Sequence, residues 1–243
     1  MCLLIVLHRI DAAFPILVAS NRDEARSRGS TPPGLYVGER RRMLSPRDRR
    51  AGGTWLAVND RGMFAGITNI AGASPRDVPT TRGELPHLAL DHDDAAAAAR
   101  AVAARCADQP FNAFQLLIAD REEMLVVLHE EGRVEIARQS GGVATLSNEH
   151  RLGALHIPAV DAACAPDLPS GARLDRLAAL LLDEGALSGH RIRKVGGEYG
   201  TVSSSLLAIP LDPNDPWEWR YAPGDPGEVG YRAYGNLARR LRG

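Results

Sequence analysis

Only three cysteines, Cys2, Cys106 and Cys164, occur in 243 residues, widely spaced and with no CxxC pair. That count argues against a disulfide scaffold or a structural zinc site and fits a reducing compartment. Lysine is nearly absent. Lys194 is the only one; the remaining basic side chains are arginine, balanced by acids to a net charge of −1. Such a balance gives no polyanion-binding field. The densest basic cluster, Arg40, Arg41, Arg42, Arg47, Arg49 and Arg50, lacks the interleaved aromatics that stack on bases. It is expected to be an exposed loop, and no nucleic-acid partner is expected. Aromatics are scarce at 5%, which weakens the case for a broad pocket for flat rings. No run approaches the roughly 20 apolar residues of a membrane span. The apolar stretch from Cys2 to Leu7 is too short, and lacks the basic lead-in, for a signal peptide. A cytoplasmic protein with no membrane span is expected.

What is present is an ordinary globular composition, 44% hydrophobic and 24% charged. Cys2 to Ile10 and Pro15 to Ser20 are almost continuously apolar, as strands covered on both faces are. Asp11-Ala12-Ala13 can turn between them, so an antiparallel hairpin is predicted. Thr54 to Asn59 and Met63 to Asn69 repeat the arrangement around Asp60-Arg61-Gly62. Four short strands follow over 114–119, 124–129, 133–138 and 143–146, as a meander. Helices are predicted over 93–106, alanine-rich with acids at its start, over 172–184, with Leu174, Leu177 and Leu181 on one stripe, and over 83–90. Late strands are predicted over 203–209 and 217–221. Strands, then helices, then strands again make an α+β pattern rather than alternating βαβ units. One domain spanning 1–243 is expected.

Cys2 carries the most chemistry. Methionine aminopeptidases remove Met1 when a small residue follows, which would leave Cys2 with a free thiol and a free α-amine. An N-terminal amine can serve as base for its own side chain. Ordinary pKa values of roughly 7.7–8.0 for the amine and about 8.5 for the thiol permit proton exchange near neutrality. The bland alternative is a small apolar residue starting a buried strand. The predicted hairpin bears on the choice, because paired positions summing to 24 or 25 set Cys2 opposite Arg22 or Asp23. An Asp there could hold the α-ammonium, and an Arg could favour thiolate. The bland reading of Asn21-Arg22-Asp23-Glu24 is a strand emerging into solvent.

The ordered set Met1-Cys2, Asn21-Arg22-Asp23-Glu24, Ala51-Gly52-Gly53-Thr54-Trp55-Leu56, Gly62 through Thr68-Asn69, Arg82-Gly83-Glu84, Leu146-Ser147-Asn148 and Tyr199-Gly200-Thr201 resembles the NRDE family. That family is also called the transport-and-Golgi-organisation family. It looks related to the cholylglycine hydrolase and penicillin V acylase branch of the N-terminal-nucleophile hydrolases. The resemblance implies a four-layer αββα sandwich. It sets Cys2 on the nucleophile and Asp23 on the catalytic aspartate. Asn69 and Asn148 fall on the oxyanion hole, where preorganised donors are worth about 3–4 kcal/mol of barrier. Arg22 joins the catalytic set, and Asn21, Trp55 and Thr68 are expected to bind substrate. Taken alone, Asn69 and Asn148 would read as turn formers at strand ends, Trp55 as core, and Gly52-Gly53 as backbone devices. One departure stands out: Val202 follows Tyr199-Gly200-Thr201 where the family usually has arginine.

Two functions follow as expectations. One is a cysteine amidohydrolase or acyltransferase that cleaves a non-peptide C–N bond of a small molecule through an acyl-enzyme on Cys2. The other is a non-catalytic carrier of a hydrophobic ligand such as haem or lipid. The scattered His8, His129, His150 and His190 have no Cys-Pro pair beside them to mark a haem ligand. No cofactor and no metal are expected.

Overall fold

Strand β1 (Cys2–His8) is apolar along its length because both of its faces are covered. Leu4 and Val6 face one core, and Leu3, Ile5 and Leu7 face another. The structure, a computed structural model, describes residues 2–71, 78, 80–187 and 190–242. Asp11 makes the turn after β1 by accepting the Ala13 and Phe14 N–H groups at 2.9 and 3.1 Å. Strand β2 (Ile16–Ala25) then returns antiparallel, with Cys2 opposite Arg22 and Leu3 opposite Asn21. The polar run does not emerge into solvent. Asn21, Arg22 and Asp23 all stay within the strand and are buried.

Next come β3 (Ser30–Val37), β4 (Arg42–Asp48), β5 (Leu56–Asn59) and β6 (Phe64–Asn69). The expectation of an exposed arginine loop holds for Arg40, Arg49 and Arg50, but β4 runs through the middle of the cluster and corrects it there. Met43, Leu44, Ser45 and Pro46 of β4 are buried, while Arg41 and Arg42 lie near Asp60. Apolar burial on both faces of β4 holds the segment as strand, and the arginines reach out to acids. Pro32 and Pro33 hide β3 from a strand-seeking eye. They are tolerated because β3 is a sheet edge with an irregular register between Thr31 and Gly34.

A 3-10 turn (Arg82–Glu84) leads into α1 (Leu85–Leu90) and α2 (Ala95–Asp108). Asp94 caps α2 by accepting the Ala97 N–H at 2.7 Å, two residues later than the predicted start. All four predicted strands form, β7 (Phe114–Ala119), β8 (Met124–Glu130), β9 (Arg133–Gln139) and β10 (Gly142–Ser147), but the meander stops at β9: β10 crosses to the other sheet and pairs with β1. Helix α3 (Pro158–Ala163) precedes α4 (Ser170–Leu181), whose Leu174, Leu177 and Leu181 are fully buried. Each such leucine contributes about 1.5–3 kcal/mol by leaving water. The chain closes through β11 (Ala186–Leu187), β12 (His190–Arg191), β13 (Tyr199–Ile209), β14 (Glu218–Ala222), α5 (Pro226–Val229), β15 (Arg232–Ala233) and α6 (Gly235–Arg242).

Two large antiparallel sheets result, ordered β10-β1-β2-β13-β14-β15 and β3-β4-β5-β6-β7-β8-β9, beside a small β11-β12 ribbon. Their inner faces pack together through Leu4, Val18, Val58, Phe64, Leu117 and Trp219. Helices α3 and α4 cover the outer face of the first sheet, and α1 and α2 that of the second. The order of layers is helix, sheet, sheet, helix: the expected αββα sandwich.

Candidate active site

Cys2 heads β1 at the rim where the two sheets meet. With Arg22 and Trp55 it lines a cavity of about 110 Å³, to which Asp48, Asn69 and Arg82 also contribute. Strand alternation aims Cys2 and Arg22 toward the second sheet, together with Leu4 and Val18. The Arg22 guanidinium lies 4.5 Å from the centroid of the Trp55 ring. Its Nη2 donates to Asp48 Oδ2 at 3.0 Å, and Arg28 Nε donates to the same oxygen at 2.7 Å. Burial would raise the Asp48 carboxyl. The Ala51 N–H and the charges of Arg28 and Arg22 outweigh it and hold the group below the usual carboxylate range.

The close approach of two glycines carries Arg82 into this rim. A Cβ on Gly53 would lie 2.4 Å from the Gly83 carbonyl carbon, and Thr54 N donates to Gly83 O at 2.9 Å. Gly52 has φ of +75° and so meets the other backbone demand in the same motif. Arg82 Nη1 donates to Ala113 O at 2.8 Å.

At the other side of Cys2, its backbone nitrogen donates to Asn148 Oδ1 at 3.1 Å. Asn148 follows β10, and its carbonyl accepts the Ala71 N–H at 2.7 Å, which brings it beside the Asn69 end of β6. Gln115, the one polar residue of β7, is buried and braces this corner. It donates to Ser147 O and His150 O and accepts from Leu152 N.

Burial pushes the Cys2 thiol above its ordinary value, against the charge of the chain's α-ammonium, a backbone hydrogen bond from Asp23 and the charge on Arg22. Arg22 does pull toward thiolate as expected, yet desolvation wins, so the thiol form dominates at neutrality. Asp23 alternates onto the opposite face of the sheet from Cys2. Burial raises its carboxyl to about 6, opposed first by the charge of the chain's α-ammonium, then by a hydrogen bond from Thr201 and by Lys194. Thr201 Oγ1 donates to Asp23 Oδ1 at 2.7 Å, and Lys194 Nζ stands 3.9 Å from Oδ2. Val202 sits at a bulge in β13, between Thr201 opposite Asp23 and Ser203 opposite Arg22.

Residues 1–160 match the sequence profile of the Transport and Golgi organisation 2 family. The chain belongs to that family. A Transport and Golgi organization 2 homolog from Mus musculus is 30% identical over 114 residues, covering 44% of this chain and 40% of the mouse protein. The match thus spans less than half of that relative. A mutant of conjugated bile acid hydrolase from Clostridium perfringens superposes with a TM-score of 0.57 at 11% identity, covering 100% of this chain and 94% of that one. The Caenorhabditis elegans N-acylethanolamine-hydrolyzing acid amidase ortholog gives 0.55 at 8% identity, covering 96% and 99%. These likenesses show that this member of the Transport and Golgi organisation 2 family has the N-terminal-nucleophile hydrolase fold.

Within this family member, Cys2, Arg22, Trp55 and Asn69 share one cavity, and Asn148 touches Cys2 from outside its lining. Asn21 does not join them. Its side chain points to the helix layer, where Nδ2 donates to Leu181 O and Ile192 O at 2.9 Å, so it anchors β2 rather than a ligand. Thr68 alternates inward and is buried outside the cavity lining. Met1 lies outside the described residues. Sequence reasoning missed Arg82, Asp48 and Gln115. Arg82 was visible only as part of a motif with no role attached. Asp48 and Gln115 carry no local signal beyond a polar residue among apolar neighbours. Among the described residues, no three His, Cys, Asp or Glu side chains converge as metal ligands, and no helix is long and apolar enough to cross a membrane.

Proposed function

We propose that the protein is an N-terminal cysteine amidohydrolase acting on a small-molecule amide. The observation that carries this reading is the bond from the Cys2 backbone nitrogen to Asn148 Oδ1 at 3.1 Å, in a cavity that Cys2 and Asn69 line. With Met1 removed, that nitrogen becomes an α-amine held beside its own thiol. Because burial keeps sulfur protonated, attack needs a base, and the amine is the base at hand. The amine takes the thiol proton as Sγ bonds to the carbonyl carbon. Asn69 and the Nδ2 of Asn148 donate to the oxyanion. The C–N bond then breaks as the ammonium returns its proton to the departing nitrogen. Water adds to the thioester and restores the thiol, releasing a carboxylic acid. Asp23, one position along β2 from Arg22, is read as positioning the amine end of Cys2.

Both sheets supply the site, which supports treating 1–243 as one working unit. A carrier of haem or lipid gains no support from a cavity of about 110 Å³ lined by arginines and carboxylates, since sites for drug-sized ligands run to roughly 300–1,000 Å³. The test is the intact mass of untagged protein before and after reaction with p-nitrophenyl acetate. Loss of Met1 and a single acetyl adduct on Cys2, absent in Cys2→Ala, is expected. Retention of Met1 throughout, or equal acetylation of the Cys2→Ala protein, would sink the reading.

A further inference from the structure

The charges lining the Cys2 cavity do not cancel. Arg22, Arg28 and Arg82 face Asp48 and Glu24. Both carboxylates are already engaged. Asp48 takes Arg22 and Arg28 on Oδ2 and the N–H groups of Arg50 and Ala51 on Oδ1. Glu24 takes Arg28 on Oε2 and the Ala25 N–H on Oε1. Two cationic donors are left over. Arg22 Nη1 is buried with no hydrogen-bond partner among the described residues, on a side chain only 4% exposed. Among the described residues, Arg82 makes no ion pair with a carboxylate; it donates to the Ala113 carbonyl. A partly buried guanidinium with no carboxylate partner, as on Arg82, pays a desolvation cost that an anion in the cavity would offset. Burial and the repulsion of Arg28 both weaken the hold of Arg82 on its proton, while negative charge on Cys2 strengthens it.

We propose that the cavity selects compact anionic substrates: amides that carry a carboxylate within a few bonds of the scissile carbonyl, bound by Arg82, with the Arg22 guanidinium adding positive charge to the same lining. Planar guanidinium donors suit a carboxylate. The volume of about 110 Å³ suits a short anionic portion. The assignment deepens the amidohydrolase reading and rests on it for the word substrate, but the anion preference itself is measurable without turnover.

The test compares iodoacetate with neutral iodoacetamide as alkylating agents on the full chain. In each case the Cys2 thiolate displaces iodide, forming S–C as C–I breaks. The iodoacetate carboxylate lies one bond from the attacked carbon. Rates at Cys2, Cys106 and Cys164 are read by peptide mass spectrometry, with 2-mercaptoethanol as the free-thiol reference. The ratio of iodoacetate to iodoacetamide rates at Cys2 is expected to exceed the reference ratio at least ~10-fold, the factor that one charge-assisted contact of about 1.4 kcal/mol supplies. Arg82→Gln should bring it back to the reference, and Arg82→Lys should retain part of it. A wild-type ratio at or below the reference overturns the proposal, whatever the amidase assay shows. If Cys2 resists both reagents, the nucleophile reading fails separately. The anion site is then decided by the melting temperature of the Cys2→Ala protein in propanoate and in propanamide. A rise with propanoate alone, lost with Arg82→Gln, supports it; identical melting overturns it.

Discussion

Gly53 and Gly83 meet backbone to backbone, so that a Cβ on Gly53 would fall 2.4 Å from the Gly83 carbonyl carbon and 2.5 Å from its oxygen. This contact joins two motifs thirty residues apart and sets Trp55 and Arg82 on one cavity wall. Gly53→Ala therefore has no flexible neighbour to displace. It is expected to destabilise the fold by about 1–3 kcal/mol, as overpacking does, and to loosen Arg82. Thermal unfolding checks it, and a melting temperature matching wild type would contradict the close contact.

Asn148 is expected to act through the chemistry rather than through stability. Asn148→Leu keeps the approximate shape but removes the acceptor for Cys2 N. Thioester formation with p-nitrophenyl acetate should slow by roughly 10²–10³-fold, with the unfolding midpoint shifted by only a few degrees. Unaltered acylation would remove Asn148 from the site.

The elevated Asp23 pKa makes stability fall as pH rises. Its folded value is raised to about 6, because burial penalises the carboxylate more than the α-ammonium, Thr201 and Lys194 favour it. The native state thus holds the proton more tightly than the unfolded chain. This contribution is complete below about pH 4 and is lost as pH climbs through 6, on the order of 3 kcal/mol in all. Asp23→Asn should gain stability relative to wild type over that window. Denaturant melts at pH 4, 5, 6 and 7 would show it, and a difference constant across pH would refute it.

Asp48 predicts the opposite slope. Its carboxyl is held below the usual range, so its contribution is present above about pH 4 and is lost as pH falls below that. Asp48→Ala strands Arg22 as a buried, uncompensated cation and should cost about 3–5 kcal/mol at pH 7. The cost should shrink toward pH 3. Chemical unfolding of both proteins at the two pH values measures it; an equal difference at each would rule out the ion pair as the cause.

Much of the architecture was legible because it depends on neighbours in the chain. The apolar runs around Asp11 predicted the β1–β2 hairpin and narrowed the partner of Cys2 to Arg22 or Asp23, of which the structure pairs Arg22. The alanine-rich run and the leucine stripe predicted α2 and α4 to within two or three residues. The strands β3 and β4 were not legible. Pro32, Pro33 and the arginine cluster carry loop chemistry locally, and only an edge position and burial of Met43 and Leu44 make them strands.

By itself, the sequence determined the layered α+β class, the position of Cys2 at a strand start, and the hairpin that brings the Arg22-Asp23 pair across from it. Each follows from alternation, turn chemistry and chain order, which act over a few residues. Only the tertiary structure decided which polar residues share the cavity. Asn21 and Arg22 are adjacent, yet a strand sends them to opposite faces, one to the Leu181 and Ile192 carbonyls and the other to Asp48 and Trp55. Arg82 enters from far along the chain because two glycines allow backbones to touch. Whether a charge ends up paired or spare is settled by all of its neighbours at once, and those neighbours are assembled by packing two sheets together.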